Sequence, residues 1–91
     1  MRTFSRTNQF KRDVRLAQRR GWNLSKLQKV MDDLISNSPV PYSLHDHPLH
    51  GDFKGSRDCH IEPDWILIYT LSDNDSHVHF VRTGTHSDLF R

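Results

Sequence analysis

Four histidines, His47, His50, His60 and His86, stand close to acids in this chain, with Asp46, Asp58 and Asp64 as their neighbours. Histidine gives and takes protons near neutral pH, its unperturbed pKa being about 6.5. A positioned general acid or base contributes roughly a hundred- to ten-thousandfold to a rate. The densest group lies in the stretch Arg57 to Leu71, RDCHIEPDWILIYTL. It reads as a polar strand, a Pro-Asp turn and a long apolar strand. Alternation along the first strand puts Asp58 and His60 on one face, with Asp64 and Trp65 just past the bend.

Other chemistries have less behind them. HDHPLH offers His45, His47 and His50, and HVH puts His77 and His79 on one strand face, a workable chelating spacing. Neither an HExxH nor a pair of cysteines accompanies them, so no metal is expected. Cys59 adjoins His60, but neighbours on a strand point to opposite faces, so the two cannot form a nucleophilic dyad. A small buried apolar side chain is the better reading of Cys59. No serine sits in an elbow motif.

Lys11, Arg12, Arg15, Arg19 and Arg20, followed by Lys26 and Lys29, form a basic run. It would supply phosphate contacts to a nucleic acid or serve as a solvated helix face. Trp65 and Phe90 are candidate base-stacking groups. Trp65 begins an apolar strand and so has a core reading beside the functional one, whereas Phe90 lies in a polar tail that burial does not explain.

The frame for these residues is small. A chain of 91 residues is expected to make one domain, residues 1–91, with a modest core and no deep pocket. An open groove suits a polymer better than a small metabolite. Net charge is +2 with a pI of about 9.0, but the bases crowd the N-terminal third and the acids lie beyond it. A single cysteine, the lack of any apolar run near eighteen residues and an N-terminus unlike a signal peptide point to the cytoplasm and away from membranes.

Thr3 and Phe4 suit a short first strand. From about Asn8 to Arg20, Phe10, Val14, Ala17 and Gly21 recur at helical spacing, with Lys11, Arg15 and Arg19 on another face. Gly21 and Asn23 supply a stop and a new N-cap. Leu24, Leu27, Val30, Met31, Leu34 and Ile35 then mark a second helix ending near Asn37, antiparallel to the first. Residues 38–55, with three prolines and two glycines, read as an irregular loop, kept ordered by Val40, Tyr42, Leu44, Leu49 and Phe53. The hairpin follows, with Pro63 and Asp64 as its turn. SDNDS, 72–76, is a second turn and HVHFVR, 77–82, a further strand. Gly84 reads as a breaker before a tail with a final helical turn. The fold class is α+β, two N-terminal helices packed on one face of a small, mainly antiparallel sheet.

HDHPLHG, RDCHIEPDWILIY and RTGTHSDLF, in this order and spacing, resemble the YafQ-like branch of the RelE superfamily of bacterial type II toxins. The resemblance implies a RelE-like β-α-α-β-β-β fold and an endoribonuclease that cleaves mRNA in the ribosomal A site without metal or other cofactor. It implies as partners a cognate antitoxin of the DinJ/RelB type, the 70S ribosome with its 16S rRNA, and mRNA, with operator DNA reached only through the antitoxin. Position by position, His47, His60, Asp64 and His86 fall on the catalytic set, with Asp58, Trp65, Arg82 and Phe90 in support and the basic run facing rRNA. His45 replaces a basic residue, usually lysine, and His50 stands where a non-histidine is usual.

On this reading the RNA 2′-OH is the nucleophile, His86 the general acid and Asp64 or His60 the base or its orienter. Protonated His47 and Arg82 stabilise the phosphate. The alternatives are a nucleic-acid-binding module without catalysis and a metal-dependent, histidine-rich hydrolase.

Overall fold

The structure is a computed structural model that describes residues 1–38, 44, 46–49, 51–53 and 55–90, without the Asp52 side chain. Strand β1 (Thr3–Arg6) leads into helices α1 (Asn8–Arg19) and α2 (Leu24–Ile35). Then come a two-residue strand β2 (His47–Pro48), a 3-10 turn (Gly51–Phe53), β3 (Arg57–Glu62), β4 (Trp65–Ser72), β5 (His77–Gly84) and a short helix α3 (His86–Leu89). The sheet order is β1-β5-β4-β3-β2. β1 runs parallel to β5, and the other pairs are antiparallel.

Local signals set the helix ends. The Thr7 hydroxyl caps α1, accepting the Phe10 N–H at 2.8 Å while donating to the Val81 carbonyl at 2.7 Å. Gly21, at φ +77°, takes the left-handed conformation that ends α1, and Asn23 caps α2 by accepting the Ser25 N–H at 3.1 Å. The 72–76 turn places Asp73, Asn74 and Asp75 in the left-handed region, which Asp and Asn tolerate better than most residues.

Each helix buries the stripe its spacing predicts. Phe10 and Ala17 of α1 and Leu27, Val30, Met31 and Leu34 of α2 pack on Cys59, Ile61, Trp65, Leu67, Tyr69, Val78 and Phe80. Lys11, Arg15 and Arg19 remain exposed. The central strand β4 also serves a second layer on the other sheet face. There Ile66 and Ile68 pack with Leu89 of α3, bordered by Leu49, Phe53 and Val81. This explains why β4 is apolar at every step from Trp65 to Tyr69.

Two expectations change. The 38–55 segment, expected to be irregular for most of its length, also contributes an unexpected strand, since His47 and Pro48 pair with Asp58 and Arg57 as a fifth member of the sheet. Within it Leu44, Leu49 and Phe53 pack against the two layers. Val40 and Tyr42 lie outside the described residues. Gly84 is no breaker but the last residue of β5, where a Cβ would fall 2.9 Å from Asp88 Oδ2 and 3.0 Å from Asp88 Cβ. Among the described residues no helix is long and apolar enough to cross a membrane.

One polar knot joins α1 to β5. Buried Asp13 accepts from Arg82 Nε at 2.7 Å, from the Thr83 N–H at 3.1 Å and from Gln9 at 3.1 Å. Thr83 in turn accepts the Trp65 indole N–H at 2.9 Å and donates to the Ile66 carbonyl at 2.8 Å. Asp13→Ala leaves the Thr83 N–H buried and unpaired beside an uncompensated guanidinium. The expected loss is about 2–3 kcal/mol in urea unfolding, with the lower end favoured by the partial exposure of Arg82.

Candidate active site

The site lies on the sheet face opposite α1 and α2, and strand parity decides which side chains reach it. Asp58 and His60 pair across β3 and β4 with Ile68 and Ile66, the residues of the helix-free layer. His47 lies opposite Asp58 in the β2–β3 pairing. Its neighbour Asp46 is held on the helix side, accepting from Arg57 Nε at 2.9 Å and from the Tyr69 hydroxyl. Alternation from that anchor turns His47 toward Asp58.

The last member arrives on α3. Thr85 and Asp88 form a reciprocal capping box, with bonds of 3.0 and 2.9 Å. Arg20 of the α1 exit grips both Asp88 oxygens, at 2.7 and 3.2 Å. His86 then meets the hairpin turn, its backbone N–H 2.9 Å and its Nδ1 2.6 Å from the same Asp64 oxygen. The two bonds from His86 hold the Asp64 carboxyl below the usual carboxylate range. Asp64 therefore orients the ring and leaves His86 Nε2 facing outward.

Four rings follow one another across the floor. His47 and His60 have centroids 6.3 Å apart, His60 and His86 5.5 Å, and His86 and Phe90 6.2 Å. Phe53 extends the row edge-on to Phe90 at 5.8 Å. Beneath the first two histidines lies Asp58, only 3% exposed. His47 Nε2 is 3.0 Å from Asp58 Oδ1, and His60 Nε2 3.9 Å from Oδ2. Burial pushes the Asp58 carboxyl up, and the charges of His47 and His60 act against that rise.

Of the expected residues, His47, Asp58, His60, Asp64, His86 and Phe90 come together. Phe90, 42% exposed, presents an open ring face. Trp65 does not join them. It is 2% exposed and packs on Trp22 under the helices, so it cannot stack on a base and instead supports β5 through Thr83. Arg82 is likewise not a loose cation, since Asp13 binds it. In the basic run, Arg20 is tied to Asp88, Lys26 to Glu62 at 3.1 Å and Lys29 to Asp33 at 3.1 Å. Lys11, Arg12, Arg15 and Arg19 stay exposed on α1.

Cys59 is fully buried on the helix side and its thiol is pushed up to about 12 by burial, which rules it out as a nucleophile. His77 bonds to the hydroxyls of Thr3 and Ser5 at 2.6 and 2.8 Å, away from the site on the β1–β5 pair. His45 and His50 lie outside the described residues. Sequence reasoning missed Asp13 and Asp88, and it took Asp46 for a neighbour of the histidines where the structure makes it an anchor for Arg57 and Tyr69. Only Asp88 left a local signal, the Thr85-x-x-Asp88 capping pattern.

Comparison with known proteins bears on the family and the fold. Residues 2–91 match the model of the YafQ family, described as the bacterial toxin of a type II toxin-antitoxin system. The chain belongs to the YafQ toxin family. An mRNA interferase toxin YafQ of Escherichia coli is 51% identical over 85 residues, 92% of this chain and 90% of the relative. The toxin in the E. coli DinJ-YafQ complex superposes with a TM-score of 0.90 at 48% identity, covering 99% of this chain and 98% of that one. A metal-bound toxin from Helicobacter pylori, 34% identical, also gives 0.90 over 99% of this chain and 100% of its own.

The α3 dock has a pH signature. The Arg20 hydrogen bond, offset in part by burial and aided by Thr85, holds Asp88 far below its usual range. A folded-state pKa below the unfolded one stabilises above about pH 4 and loses that contribution as pH falls through the folded value. Asp88→Asn is expected to cost about 1 kcal/mol at pH 7, mostly through the cap because the ion pair is partly exposed. The gap to the parent should narrow in urea titrations repeated near pH 3.

Proposed function

We propose that this YafQ-family protein is the toxin of a type II pair and an endoribonuclease that cleaves mRNA in the ribosomal A site. The observation that carries the chemistry is the row His47–His60–His86 with carboxylates behind it. The RNA brings its own nucleophile, the 2′-OH, so the enzyme must take that proton, protonate the departing 5′-oxygen and stabilise the crowded phosphate. No metal is called for by these steps, although the H. pylori relative is metal-bound.

Roles follow from the contacts. Asp64 is occupied by two bonds from His86, which makes it an orienter. His86, its ring fixed by that carboxylate, gives the Nε2 proton to the 5′-oxygen. His60, at the centre of the row, takes the 2′-OH proton, and in-line attack leaves a 2′,3′-cyclic phosphate. His47 in its protonated form, above Asp58, stabilises the phosphate oxygens. Phe90 offers a stacking face to an unpaired base.

The groove is shallow, and the exposed cations Lys11, Arg12, Arg15 and Arg19 lie on the helix side of the sheet. They suit a grip on 16S rRNA while the 70S ribosome holds the codon against the histidines. A DinJ-like antitoxin partner follows from the relative solved in that complex, and operator DNA is reached through it. The setting is the cytoplasm.

Primer extension on mRNA in a purified translation system tests the whole reading. His86→Ala should slow cleavage by roughly 10²–10⁴-fold, and EDTA should leave the parent rate unchanged. Equal cleavage of mRNA with and without ribosomes would sink ribosome dependence.

A further inference from the structure

We propose that His47, Asp58 and His60 form a binding site for a zinc-type divalent cation, and that occupancy of this site shuts off RNA cleavage. The binding half stands on the structure of the cluster. The inhibitory half rests on the roles proposed above for His47 and His60.

One atom from each of the three side chains lies within 4.8 Å of the other two. The closest pair, His47 Nε2 and Asp58 Oδ1, is 3.0 Å apart, and His60 Nε2 stands 3.9 Å from Asp58 Oδ2. Ligand atoms around a tetrahedral zinc with bonds of about 2.0–2.2 Å are separated by roughly 3.3–3.6 Å, so these spacings straddle the required value.

Two further observations point a ligand into the cluster. Asp58 is 3% exposed, and its Oδ1, 3.0 Å from His47 Nε2, makes no bond of hydrogen-bond geometry among the described residues. A carboxylate oxygen withdrawn from water in this way calls for positive charge beside it. His47 supplies the second. Its Nδ1 lies 3.1 Å from the Pro48 carbonyl oxygen, which can only accept, so Nδ1 carries the ring proton. In the neutral ring the Nε2 lone pair then faces Oδ1, acceptor against acceptor. Either a proton or a metal ion must stand between them. An Nδ1–H held by a backbone carbonyl is also how metal-ligating histidines are commonly oriented.

The donor chemistry narrows the ion. Two imidazole nitrogens and one carboxylate suit Zn²⁺, Ni²⁺ or Cu²⁺ rather than Mg²⁺ or Ca²⁺, which prefer all-oxygen sets. Three protein ligands leave a fourth position to water. A bound cation consumes both Nε2 lone pairs, so His60 can no longer accept the 2′-OH proton and His47 can no longer carry one. His86 stays outside the cluster, which among the described residues comprises His47, Asp58 and His60.

Calorimetric titration of metal-stripped protein with Zn²⁺ alone should show one site per chain. Asp58→Asn and His47→Gln, each checked for folding by urea titration, should weaken it by about tenfold or more. The paired change His77→Gln, His79→Gln should leave it unaltered. Absence of 1:1 binding, affinity unchanged in both Asp58→Asn and His47→Gln, or loss in the His77/His79 variant overturns the site. On the same preparations, Zn²⁺ at saturation should suppress cleavage reversibly by EDTA, and Mg²⁺ should not. Binding at the named ligands with cleavage undiminished overturns the inhibitory half together with the roles given to His47 and His60. A metal-free parent without cleavage activity overturns the proposed function, while the titration alone still decides the cation site.

Discussion

One oxygen of Asp64, receiving both the backbone N–H and the Nδ1 of His86, joins the hairpin turn to the tail, and the site depends on that junction. A helix of four residues has no stability of its own, since nucleation alone is unfavourable. α3 exists because Leu89 enters the second apolar layer, Thr85 and Asp88 cap each other, and Arg20 reaches over from α1. Gly84 allows this by leaving room for Asp88 against the end of β5. The hairpin is thus a rigid floor, and the tail fixes the third histidine upon it.

The acids divide by sheet face. Asp13 and Asp46 lie on the helix side and bind Arg82, Arg57 and Tyr69, holding strands and the β2 segment in register. Asp58 and Asp64 meet histidines. The same side-chain type therefore supplies scaffold and site. What separates the roles is whether the partner is a permanently charged arginine or a titrating ring.

Sequence reasoning reached the parts governed by local chemistry. The Gly21 stop, the Asn23 cap, the Pro63-Asp64 turn and the shared face of Asp58 and His60 each depend on a few adjacent residues. The errors were tertiary. Arg82 finds Asp13 across 69 positions, and no local pattern encodes that pairing. Trp65 looked ambiguous because β4 is apolar on both faces, and only the sheet order shows that its own face lies under the helices. The two-residue β2 is too short to carry a period, so its register comes from β3 and the Asp46 anchor.

The burial of Asp58 beneath His47 and His60 bears on how so small an enzyme selects its RNA. A carboxylate this deep repels an approaching phosphate unless the rings above it are charged, so the net field over the floor stays modest. Arg57 and Arg82 are already paired to acids, so neither is a loose cation that could strengthen it. Free RNA would then bind weakly. On the function proposed here, the missing affinity comes from a substrate held in place by the ribosome and from exposed cations on the far side of the sheet. Weak intrinsic binding and a strict orientation requirement would favour a codon already presented over any stray strand.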